Sequence, residues 1–114
     1  MRTLSKLFLV LLLCNLAACA SGTLEYKPVH WKGKLWAITG KAIIDPDGDF
    51  ITVVINDTDV MSGILSKDNP QVIMTGKYLE YDVAAKCGFN SGDKNAKHVC
   101  SVNVDGAYAG NFSF

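Results

Sequence analysis

Four cysteines, two histidines and an alternating run of aspartates are the residues of this chain whose types and spacing bear on chemistry. Cys87, His98 and Cys100 bring three metal-ligand types into one short stretch, with His30 as a distant fourth. Their spacing matches none of the paired C-x-x-C patterns of zinc sites, and oxidation would consume both thiolates. No metal and no cofactor is therefore expected. Asp45, Asp47 and Asp49 place carboxylates at alternate positions, as calcium loops of the EF-hand type do. That pattern needs glycine one place after the third acid and a bidentate glutamate at position twelve, where this chain has Phe50 and Asn56. A hairpin turn solvated by acids is the better reading.

Catalysis lacks its parts. Neither His30 nor His98 has a serine or thiol nucleophile suggested beside it. Glu80 and Asp82 share one strand face, but alternation turns them to water, where nothing retunes a carboxyl group. No enzymatic activity is expected. Trp31 and Trp36 offer a binding patch or a contact for lipid headgroups, yet beside Leu35 and Ile38 they read first as packed core.

The N-terminal segment must be set aside before any element is assigned. Arg2 and Lys6 precede an unbroken apolar run at residues 7–13, which gives way to small residues around Ala17 and Ala18. These are the three parts of a secretory signal. The run falls short of the roughly 18–20 residues that span a bilayer as a helix. Cys19 follows directly on Leu16, Ala17 and Ala18. This tetrad resembles the lipobox of bacterial lipoprotein signals. The resemblance implies that the Cys19 sulfur takes a diacylglyceryl group, that residues 1–18 are cleaved off as a signal peptide, and that the freed amine takes a third chain. Several chains give firm anchoring, since each buried methylene contributes about 0.8 kcal/mol. Cys14 would leave with the leader. Enterobacterial lipoproteins kept in the inner membrane carry Asp after the lipidated cysteine, and this chain has Ala20. By resemblance to that sorting rule the expected location is the outer membrane, facing the periplasm.

Without the leader, nine Lys stand against eleven Asp and Glu, a net charge of about −2. Nucleic-acid binding wants a cationic stripe, so no nucleic-acid partner is expected. Residues 19–29 read as a short lipidated tether, and residues 30–114 as one small β-barrel domain with a marginal core. In an exported chain the two remaining cysteines, Cys87 and Cys100, read as one disulfide. Closing such a loop contributes about 3 kcal/mol in the chain-entropy model.

From His30 onward the chain is rich in Val, Ile, Thr and aromatics punctuated by turn residues, which predicts a mainly β domain. Strands are expected at residues 33–44, 49–56, 60–65, 77–87 and 97–104. A turn at 45–48 has Pro46 to fix φ and Gly48 for positive φ. Asp68 or Asn69 is expected to cap a short helix with Pro70 in its first turn, buried through Val72, Ile73 and Met74 and ended by Gly76. Near the C terminus, a two-residue turn at Asp105 and Gly106 would leave Phe112 and Phe114 on the wrong face. A bulge at Gly106 within one bent strand, or a longer turn, would bring them back to the core.

This element order, with the turn at 45–48 and a helix between strands three and four, resembles the OB-fold, a five-stranded Greek-key barrel. The likeness spans residues 30–108 and extends to small OB-type lipoproteins of Gram-negative bacteria. It implies a ligand face on strands two and three, flanked by the loops at 45–48 and 88–97, although Thr52 and Val54 there are neither basic nor aromatic. The rival fold is an eight-stranded barrel resembling lysozyme-inhibitor lipoproteins, also of this size and disulfide-bonded. The expected function is a non-catalytic, periplasm-facing binding module for a protein or envelope polymer. The alternative is an inhibitor or immunity-type lipoprotein that blocks a cell-wall-cleaving enzyme with a loop around residues 91–97. A purely structural envelope component is the third reading.

Overall fold

Alternation of apolar and polar residues runs through most of the chain, and it makes strands. The computed structural model describes residues 22–91 and 95–114. The expected leader at 1–18 and the expected lipid-bearing Cys19 lie outside the described residues. Eight strands follow in order: β1 (Leu24–Tyr26), β2 (Trp36–Ile43), β3 (Asp49–Ile55), β4 (Thr58–Leu65), β5 (Gln71–Tyr78), β6 (Tyr81–Phe89), β7 (His98–Val104) and β8 (Ala107–Ser113). They form two four-stranded antiparallel sheets, β1-β2-β3-β4 and β5-β6-β7-β8, each a simple meander.

The core lies between the sheets. Trp36, Ile38, Ile51, Val53, Ile55, Met61 and Leu65 of the first meet Met74, Val83, Ala85, Cys87, Cys100, Val102, Val104 and Phe112 of the second. Period-two alternation is the cause: Ile51, Val53 and Ile55 are one face of β3, and Cys100, Val102 and Val104 one face of β7. Among the described residues no ladder joins β4 to β5 or β8 to β1, so neither a closed barrel nor the five-stranded OB arrangement is formed. The rims meet by close approach at glycines instead. A Cβ on Gly76 of β5 would fall 2.6 Å from the Val60 carbonyl oxygen of β4, and one on Gly40 of β2 would fall 2.5 Å from the Phe114 ring.

Several sequence expectations are corrected here. The stretch expected to be a helix is strand β5, because Val72, Met74, Gly76 and Tyr78 satisfy a period of two, with Ile73 and Thr75 on the exposed face. Asp68, Asn69 and Pro70 serve a turn, held by reciprocal backbone bonds between Ser66 and Asn69. The single strand expected at 77–87 is broken by a tight turn at Leu79 and Glu80, with Tyr78 opposite Tyr81. Leu79 takes φ 58°, a conformation for which leucine is no signal. Within the expected tether at 19–29, residues 24–26 are ordered as β1, with Tyr26 opposite Trp36.

The C-terminal phase problem is solved by two devices together. Asp105 and Gly106, with φ of 49° and 84°, make the two-residue hairpin turn whose twist suits paired strands. A bulge then falls in β8, where Val102 faces Gly110 but Asn103 faces Tyr108, leaving Ala109 as the extra residue. That one-residue slip turns Phe112 into the core and leaves Tyr108 outside. The expected disulfide is present: Cys87 and Cys100 are direct cross-strand partners on β6 and β7, bonded at 2.02 Å and fully buried.

A candidate binding groove floored by Asp49 and His98

Two loops wall a groove at one end of the sandwich. The turn at 45–48 is closed by the Gly48 amide donating to the Asp45 carbonyl (3.0 Å) and the Asp47 amide donating to Asp45 Oδ1 (2.9 Å). Across from it stands the Ser66–Asn69 turn, and Phe89 and Lys97 complete a space of about 610 Å³ that is also lined by Lys67 and Asp68.

Asp49 forms the floor. As the first residue of β3 it is in phase with Ile51, so alternation sends its carboxylate inward rather than to solvent. His98, the first residue of β7, is in phase with Cys100 and also points inward. His98 Nε2 lies 2.8 Å from Asp49 Oδ2, and both side chains are buried. An ionised carboxylate only accepts, so Nε2 carries the proton and donates it. Lys97 Nζ approaches the same oxygen at 3.4 Å from the exposed side. The hydrogen bond from His98 holds the Asp49 carboxyl below the usual carboxylate range, and Lys97 adds to this, against the opposing effect of burial. The imidazole is fixed from its other sides. Its ring centroid is 5.1 Å from Phe114 and 6.0 Å from Phe89, and its backbone pairs both ways with Phe114.

This arrangement can orient and can hold charge. It joins the two sheets at the groove floor, and Asp45, Asp47, Asp68, Lys67 and Lys97 line the opening above it. Among the described residues no group of three His, Cys, Asp or Glu side chains is placed to hold a metal. The calcium pattern dissolves for a geometric reason: Asp49 turns inward to His98 while Asp45 caps its own turn. His30 lies before β2, at the opposite end of the sandwich from His98, in an exposed turn with φ 67°. The ligand face implied by the OB likeness is the outer face of β3 and β4: there Thr52 is buried with its hydroxyl 3.2 Å from that of Ser62, while Phe50, Ser62 and Ile64 are exposed. Asp82 is spent on Lys77, 2.6 Å away, which raises the lysine's pKa.

Trp31 and Trp36 prove to be packing residues. Trp36 is wholly buried, edge-on to Tyr78 at 4.9 Å and Tyr81 at 5.1 Å, and Trp31 Nε1 donates to the Lys34 carbonyl at 2.7 Å. The Asp49–His98 link was not foreseen as a pair. Its signal was available in two halves, an acid in phase with three β-branched residues and a histidine in phase with a cysteine and two valines.

A second surface lies on the outer face of the first sheet. Ile43, Phe50 and Ile64 are register partners across β2, β3 and β4, so their side chains form a straight row. They are 68%, 43% and 55% exposed, whereas Ile44, 58% exposed, lines the groove. The turn at 45–48 separates this row from the groove.

No protein-family model, curated protein or solved structure matches this chain.

Proposed function

We propose that this chain is a lipid-anchored outer-membrane lipoprotein whose β-sandwich is a non-catalytic, periplasm-facing binding module for an envelope protein or polymer. The observation that carries the reading is the tetrad of Leu16, Ala17, Ala18 and Cys19 behind a short apolar run. The Cys87–Cys100 disulfide supports it, since such bonds persist in oxidising compartments. Binding is supported by the groove itself: its walls are turns and its floor carries Asp49, held from behind by His98, so ligand groups would meet a preformed surface. With Lys67 and Lys97 lining the opening together with Asp45, Asp47 and Asp68, the groove suits a partner carrying both signs of charge.

The test is capture from envelopes gently extracted in detergent, with tagged wild type beside Cys19→Ser. A discrete partner recovered with the wild type and lost with Cys19→Ser is the expected result. An empty eluate from both forms would refute the binding reading and leave a structural role.

A second reading, blockage of a cell-wall-cleaving enzyme, is favoured by the strand count. The eight antiparallel strands among the described residues match the strand number of the rival lysozyme-inhibitor-like barrel, although the two sheets do not close into one. Recovery of a soluble muramidase or amidase with both forms of the bait would establish that reading instead.

A further inference from the structure

The chain entering β1 comes from the end of the sandwich that carries the exposed apolar row. β1 runs antiparallel to β2 with Leu24 opposite Ile38, so each residue before Leu24 lies further toward Ile43. Gly22 is at that end: a Cβ on it would lie 4.0 Å from the carbonyl oxygen of Ser113, and the next residue, Phe114, covers Gly40. Cys19 is three residues before Gly22, a reach of about 10 Å at full extension. Ile43 is three residues beyond Gly40, also about 10 Å along the strand. An anchor on Cys19 therefore lies within about 10 Å of Gly22, at the end of the sandwich that carries Ile43.

That end is where large apolar side chains are left in water. Ile43, Phe50 and Ile64 line up across three strands. A contiguous apolar strip of this kind marks a contact surface rather than a scattered exposure. Asp45 and Asp47 border the same strip, which disfavours a strongly anionic surface.

We infer that the Ile43, Phe50 and Ile64 rim is a second membrane contact, resting in the headgroup boundary of a zwitterionic leaflet. The inference rests on the lipoprotein reading above, because the anchor brings the rim to the surface. The acyl chains supply attachment and the rim supplies orientation, which leaves the groove behind the turn at 45–48 opening beside the bilayer.

The test places a reporter in the rim. Intact protein carrying Ile43→Trp, and separately Ile64→Trp, is reconstituted in phosphatidylcholine vesicles containing a chain-brominated lipid, beside the wild type. The expected result is a blue-shifted emission from each added tryptophan that loses intensity to bromine. Wild-type emission, which comes from Trp31 and Trp36 near the opposite end of β2, should keep its intensity. Unquenched, water-like emission from both variants on vesicles that carry the protein would overturn the inference, as would quenching of the wild type. The mass of the Cys19 peptide separates the two levels of failure. Acyl chains present with an unquenched rim overturn only the rim contact, whereas an unmodified Cys19 overturns the anchor and the inference together.

Discussion

Asp49 and His98 begin strands in different sheets and meet at 2.8 Å in the interior, so one hydrogen bond ties the two halves of the sandwich at the groove floor. A buried pair of this kind contributes little net stability beside an apolar replacement, but breaking it leaves one polar group stranded. His98→Ala is expected to cost about 3 kcal/mol, the lower end for breaking a buried pair, because the carboxylate sits below an open groove. Urea unfolding of His98→Ala, Asp49→Ala and the double variant checks this. The double variant should cost less than the sum of the singles, since the second substitution removes the stranded partner.

Acid should act through the same carboxylate. The Asp49 pKa is lowered in the fold from its ordinary 3.8, chiefly by the His98 hydrogen bond. A depressed carboxylate stabilises the fold fully above its unfolded pKa, and that stabilisation is lost as pH falls through the lower folded value. Stability should therefore decline on acidification below about pH 4 more steeply in the wild type than in Asp49→Asn. Identical acid limbs in the two proteins would contradict the assignment.

Cys87 and Cys100 sit opposite each other in the core and close a loop of sequence separation 13. Cys87→Ala with Cys100→Ala should lower stability by about 3 kcal/mol, measured by thermal or urea unfolding. The loss should exceed that from reducing an exposed bond, because two buried sulfurs are also removed from a packed layer.

Leu79 holds φ 58° in the β5–β6 turn with its side chain more than half exposed. Relief of that backbone conformation outweighs the little packing that is lost. Leu79→Gly is expected to raise stability by about 0.5–1 kcal/mol, whereas Leu79→Ala, which keeps Cβ, should give no gain. Paired denaturation curves decide between them.

What the sequence by itself determined was local and periodic. Alternation in residues 49–55 and 98–104 was enough to place Ile51, Val53, Ile55, Cys100, Val102 and Val104 inside, and to make the domain mainly β. The Pro46 and Gly48 turn and the Cys87–Cys100 pairing were legible for the same reason: proline, glycine and cysteine act through their own covalent chemistry. Tertiary structure decided whatever depends on a partner distant in the chain. The short apolar run at 71–76 fits helix or strand alone, and pairing with β6 chose strand. The break at Leu79 came from the hairpin's need for a tight reversal, and the slip at Ala109 from the need to bury Phe112. The groove floor is the clearest case. Asp49 and His98 are far apart in sequence, and only the stacking of one sheet on the other turns two inward-pointing polar residues into a single buried link.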